Sequence, residues 1–116
     1  MITAIISKLP FIDKQQTLLF YEKLGFVLNV DYGDYCIVSK ETFEIHLFAY
    51  KELNPLQSDF MIYIRLENEI DEFYHKLQEI NVIIHPNGQL EAKPWNQKEF
   101  SILDPNGTLL TFGQRI

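Results

Sequence analysis

The chain has one cysteine, Cys36. A single thiol excludes an intrachain disulfide and cannot by itself build a thiolate metal centre. Its place in the apolar run Tyr35 to Val38 marks it as a small buried hydrophobe. Glycines are also few, five in all and scattered, so no phosphate-cradling loop can be assembled. None of the serines Ser7, Ser39, Ser58 and Ser101 lies in a Gly-x-Ser-x-Gly elbow. No apolar run approaches the length that spans a bilayer, and the amino terminus lacks the basic, apolar and small-residue succession of a secretion signal. The cytoplasm is therefore the expected location, with no membrane partner. Basic charge is short as well: 10 Lys and Arg face 16 Asp and Glu, for a formal net charge of −6. Without a basic stripe, nucleic acid is not an expected partner, whereas a cationic ligand would be attracted.

What is present is apolar and patterned. At 116 residues and 47% hydrophobic content, the chain fits one domain with a sizeable core. Thr3 to Leu9 reads as a strand cut by Pro10. Asp13 caps a helix carrying Thr17, Phe20, Tyr21 and Leu24 at helical spacing, and Gly25 closes it. Strands follow at Phe26 to Val30, Tyr35 to Ser39 and Phe43 to Tyr50. Lys51 to Ser58 is a connector. Asp59 to Leu66 resumes as a strand, and Asn68 caps a second helix with the stripe Ile70, Phe73, Tyr74, Leu77 and Ile80. Val82 to His85 reads as extended and Pro86 to Lys98 as a long polar loop displaying Trp95. Phe100 to Leu103 and Thr108 to Gly113 form a hairpin about Asp104-Pro105-Asn106-Gly107.

The order strand, helix, three strands occurs twice, in about residues 1–50 and 59–116. Phe20-Tyr21-Glu22-Lys23-Leu24 in the first helix answers Phe73-Tyr74-His75-Lys76-Leu77 in the second. The fold class is therefore α+β: paired βαβββ modules that form curved mixed sheets with a helix on each convex face. The concave faces need cover from the other half or from a second subunit, and a dimer with exchanged elements meets that need.

Strand alternation names the concave residues. Along Phe43 to Tyr50, the set Phe43, Ile45, Leu47 and Ala49 belongs under the helix. The opposite set is Glu44, His46, Phe48 and Tyr50. Along the fifth strand, Ile62, Ile64 and Leu66 face the helix, leaving Met61, Tyr63 and Arg65 on the other side. With Tyr35 and an overhanging Trp95, this surface suits a planar heteroaromatic ligand, and Asp31, Asp34 and Glu44 would attract a positive tail. The expected ligand-binding residues are Trp95, Tyr35, Tyr63, His46, Phe48, Met61, Asp31 and Asp34.

Leu9-Pro10, Phe20-Tyr21-Glu22-Lys23-Leu24-Gly25-Phe26, Glu72-Phe73-Tyr74, Pro94-Trp95, Glu99-Phe100 and Asp104-Pro105-Asn106-Gly107, in that order, resemble the vicinal oxygen chelate superfamily and, within it, the bleomycin resistance proteins. The resemblance implies a non-catalytic homodimer that sequesters a cationic planar glycopeptide antibiotic in a dimer cleft. It also implies that Tyr35 and Trp95 flank the drug's rings. Superfamily enzymes chelate a divalent metal on the concave face, so a metal-dependent lyase, isomerase or dioxygenase is the alternative, as is a metal-free binder of another small molecule. Here His46 falls on a ligand position, but its repeat partner is Thr111, the fifth strand offers about Met61, and the first offers only Thr3, Ala4, Ile5 and Ile6. His75 and His85 cannot be brought beside His46. One imidazole does not hold a metal, so no cofactor is expected.

Overall fold

Asp13 starts the first helix as its spacing predicts. In the computed structural model, which describes residues 1–116, its carboxylate accepts from the Gln16 amide at 2.9 Å and caps α1, Lys14–Lys23. Gly25 follows the helix at φ +96°, where a side chain would be strained. The elements run β1 (Ser7–Phe11), α1, β2 (Val27–Asp31), β3 (Tyr35–Lys40), β4 (Phe43–Ala49), then β5 (Met61–Leu66), α2 (Ile70–Glu79), β6 (Glu91–Lys93), β7 (Gln97–Leu103) and β8 (Leu109–Arg115). They form two four-stranded sheets of the same plan, β1-β4-β3-β2 and β5-β8-β7-β6. In each, the outer strand β1 or β5 lies parallel to the last strand of its repeat, and the other pairs are antiparallel. The α+β class and the repeated βαβββ order follow the sequence pattern. No helix is long and apolar enough to cross a membrane.

The chain divides into two compact units, Met1–Phe60 with Pro105–Gly107, and Met61–Asp104 with Thr108–Ile116. In the first, α1 turns Thr17, Tyr21 and Leu24 inward, and the sheet contributes Leu9, Cys36, Val38, Ile45 and Leu47, all buried. Asn106 completes this unit. Its side-chain oxygen accepts from the Ile12 amide at 2.8 Å and its amide donates to Thr17 Oγ1 at 3.0 Å. In the second unit, Phe73 and Tyr74 of α2 meet Phe100 and Phe112 with ring centroids 5.0–6.0 Å apart. Phe100 and Phe112 stack at 5.2 Å. Each such pair contributes about 0.5–1.5 kcal/mol beyond its area burial.

Five expectations need correction. The first strand is Ser7–Phe11 and runs through Pro10. An edge strand tolerates a residue without an N–H, because only one side of it is paired. Asn68 does not cap α2. The N-cap is Glu69 at φ +63° with no side-chain cap bond, and the Ile70 amide donates instead to Gln114 Oε1 of β8 at 2.8 Å. Phe43, at the start of β4, is 67% exposed and does not pack under the helix. Val82 to His85 contributes only an isolated bridge, Ile84 to Ile102. The fourth strand of that sheet is β6, inside the stretch read as loop; it pairs Glu91–Lys93 with Gln97–Glu99. Trp95 therefore sits in the tight turn of a hairpin, closed by the Asn96 amide donating to the Lys93 carbonyl at 3.2 Å.

Candidate functional site

The sheet of the second unit turns Phe100, Ile102, Leu110 and Phe112 toward α2, and all four are buried. By alternation, the opposite face carries Met61, Tyr63 and Arg65 of β5, Thr111 and Gly113 of β8, and Glu99 and Ser101 of β7. Register fixes their neighbours: Tyr63 lies beside Thr111, and Glu99 and Arg65 flank Gly113. Tyr63 on β5 reaches Glu99 on β7 by crossing β8, and it can do so because residue 113 has no side chain. A Cβ there would stand 1.7 Å from the Tyr63 hydroxyl oxygen.

Three groups meet at the end of that reach. The Tyr63 hydroxyl donates to Glu99 Oε2 at 2.8 Å, and Trp95 Nε1 donates to the same oxygen at 2.9 Å. Glu99 is 7% exposed, whereas the Trp95 ring remains 60% exposed. Burial, followed by the hydrogen bond to Glu99, pushes the Tyr63 hydroxyl above its ordinary pKa, so it stays a donor. Arg65 lies over the Tyr63 ring, 5.6 Å from its centroid. A cleft of about 220 Å³ opens beside the pair, with Lys93, Trp95, Glu99, Ser101 and Thr111 among its walls. The Ser101 and Thr111 hydroxyls are hydrogen-bonded at 2.9 Å. On its far side the loop is strapped to β7: the His85 amide donates to the Ser101 carbonyl, and the Ser101 amide to the Gly88 carbonyl, each at 2.9 Å.

The first unit has its own polar and aromatic face. Tyr35 Oη lies 2.7 Å from His46 Nδ1, and His46 Nε2 lies 3.2 Å from Glu44 Oε1. A neutral imidazole satisfies both contacts by accepting from Tyr35 and donating to Glu44. Lys8 Nζ stands 5.6 Å from the Tyr35 ring centroid, and Phe48 packs edge-on against Phe60. Asp31 is already engaged: Lys14 Nζ approaches it at 3.0 Å, and the Gly33 amide donates to it at 2.8 Å. The Gly33 bond, followed by the one from Lys14, holds its carboxyl below the ordinary range. Asp34 is exposed and lines an open hollow with Ala49, Lys51 and Glu52.

The sequence-derived residues thus fall into two groups. Tyr35, His46 and Phe48 share the face of the first unit. Tyr63 and Trp95 meet in the second, where Met61 is exposed on the same face. Glu99 and Gly113 escaped the sequence reading, which met Glu99 only as part of a motif. A local signal for Glu99 existed: in Gln97-Lys98-Glu99-Phe100-Ser101-Ile102, the polar residues 97, 99 and 101 alternate with the helix-facing Phe100 and Ile102. Gly113 could not be found this way, because its reason is a ring from a strand fifty residues earlier.

The side chains present do not fit a divalent metal. No group of three or more His, Cys, Asp or Glu side chains converges. The strand positions beside His46 are Lys8 and Ile37, and not Thr3 to Ile6, because β1 begins only at Ser7. An ammonium and an alkyl chain are not metal donors under these conditions.

No family model matches the sequence. A bleomycin resistance protein of Klebsiella pneumoniae is 30% identical over 107 residues, covering 88% of this chain and 84% of that protein. Among solved structures, a bleomycin resistance determinant encoded on the transposon Tn5 superposes with a TM-score of 0.87 at 28% identity, covering 98% of both chains. A bleomycin-binding protein complexed with bleomycin superposes with a TM-score of 0.85 at 28% identity over the whole of both chains.

Proposed function

The chain belongs to the bleomycin resistance protein family, and from that premise we propose that it binds a planar, cationic antibiotic of the bleomycin kind and sequesters it unmodified, as a homodimer. The observation that carries this reading is Trp95. A tryptophan 60% exposed at a hairpin turn would ordinarily be free to swing, yet its indole N–H is tied to a buried carboxylate. The tether fixes the ring's position before any ligand arrives, which lowers the ordering cost of stacking a flat partner on it.

The remaining faces complete the reading. Tyr63 supports the carboxylate, and Met61 offers apolar surface on the same sheet. In the first unit Tyr35, His46 and Phe48 provide a second aromatic surface, with Asp34 as an exposed anion beside it. Asp31 adds less to ligand attraction, because Lys14 neutralises it. No side-chain set fits metal-assisted chemistry, which favours holding the drug over converting it.

Titration of the protein with bleomycin, following the emission of its only tryptophan, tests the proposal. Saturable binding at micromolar drug is expected, together with protection of DNA from cleavage and recovery of unchanged drug by mass spectrometry. Trp95→Ala is expected to lower affinity by about tenfold or more, as for an aromatic anchor at a binding surface, while the chain stays folded with a modest fall in melting temperature, because Glu99 loses one of its two donors. No saturable change and no protection of DNA, or drug returned chemically altered, would reject it.

A further inference from the structure

Glu99 is a carboxylate buried to 7% exposure with no Lys, Arg or His bonded to it. The ion pairs of the second unit are Lys93 with Glu91 and Lys98 with Asp71. Burying an anion without a cation is costly unless hydrogen bonds or a ligand compensate. Part of the compensation is present: Tyr63 and Trp95 both donate, and both to Oε2. The other oxygen, Oε1, accepts no hydrogen bond from the protein. It is not sealed either, since the sealed polar atoms without partners are Gln97 Oε1 and Thr108 Oγ1. Glu99 lines the 220 Å³ cleft together with Trp95.

We propose that Glu99 is the residue that selects the ligand: Oε2 sets the Trp95 and Tyr63 rings, and Oε1 takes a cationic N–H donor carried at the edge of the group that stacks on Trp95. The favoured ligand is therefore a flat ring bearing a protonated amine or amidine a bond or two from its rim, where charge and stacking are satisfied together. The Ser101 and Thr111 hydroxyls, alongside in the same cleft, serve the neutral polar atoms of such a group. The assignment rests on the sequestration reading above and adds to it one charge with one position. The gain on binding is large for a single contact, because a desolvated carboxylate meets its first cation inside a walled cleft.

Glu99→Gln is the test, since it keeps shape and one acceptor while removing the charge. Bleomycin is titrated against wild type, Glu99→Gln and Trp95→Ala at low and high salt, and quenching of Trp95 by caesium and by iodide is measured without drug. Glu99→Gln is expected to lower bleomycin affinity by about tenfold or more and to flatten its salt dependence. It is also expected to shift Trp95 quenching from caesium toward iodide relative to wild type, which reports the charge beside the ring; the loss of salt-dependent affinity is the change that a merely structural role for the side chain would not produce. Weakened binding in Trp95→Ala with wild-type binding and quenching in Glu99→Gln overturns the assignment and leaves the sequestration reading standing. If wild type does not bind bleomycin at all, the sequestration reading fails and the assignment, which rests on it, falls with it. Should Glu99→Gln not fold, the wild type decides: bleomycin affinity that does not weaken as salt rises overturns the assignment.

Discussion

One added methyl group at position 113 would collide with the Tyr63 hydroxyl and ring, at 1.7 and 2.5 Å. Backbone lies beneath and cannot yield, so the tyrosine must leave its place over β8. Gly113→Ala is expected to preserve the sheet, destabilise the protein by about 1–3 kcal/mol as overpacking does, and weaken bleomycin binding by detaching Tyr63 from Glu99. Thermal melts and drug titration on one preparation separate the two effects. Tyr63 makes a second prediction. Its folded pKa lies above the unfolded value near 10, so on alkalinisation the unfolded chain loses this proton first. Stability should therefore fall as pH rises through about 10 and level off above the folded pKa; in Tyr63→Phe this contribution should vanish. Tyrosinate absorbance, followed with a denaturant midpoint at each pH, checks it. Trp95 and Tyr63 were legible from the sequence as a ring in a polar stretch and an outward position on a strand. The bond that joins them was not: alternation can put Glu99 on the outward face of β7, but nothing local pairs it with Tyr63, 36 residues away.

The two helices are capped by different means. Asp13 caps α1 within its own turn, whereas α2 borrows Gln114 from a strand 44 residues later. Asp13→Ala is expected to cost about 1 kcal/mol. Gln114→Ala should cost a similar amount or more, because it leaves the helix amide of buried Ile70 without its acceptor; urea unfolding of both variants gives the comparison. The same distinction explains what could be read from the chain. Capping by Asp13, closure by Gly25, the Asp104 to Gly107 turn and the alternation of β5 rest on neighbours in sequence. The true extent of β1, the cap of α2 and the existence of β6 depend on partners elsewhere. Glu91 to Lys93 is a strand because β7 lies beside it, and three residues without apolar alternation give no periodicity to detect.

Across the whole chain, Asn106 makes the longest-range side-chain ties, to Ile12 and Thr17, 94 and 89 residues away. Gly107 beside it stands at φ +80°, where an added Cβ would meet the Pro55 carbonyl oxygen at 2.0 Å. Asn106→Ala is expected to leave the Ile12 amide without its acceptor, while Thr17 Oγ1 keeps its bond to the Asp13 carbonyl, and to cost about 1–3 kcal/mol, one unsatisfied group at the usual penalty. A melting-temperature drop of several degrees, with drug affinity per folded molecule retained, would show that this residue serves stability and not recognition. An unchanged melting temperature would contradict it.

Pro10 is the second-to-last residue of β1, on the outer edge of its sheet. An edge strand is a template on which any extended chain can grow, and a residue with no N–H interrupts that template. β2 carries a register shift between Leu28 and Val30, and β6 is only three residues long, so three of the four sheet edges are poor templates. In a chain that is nearly half hydrophobic, these interruptions are a defence against aggregation. They would let the protein accumulate to the concentrations that the proposed stoichiometric capture of a drug requires.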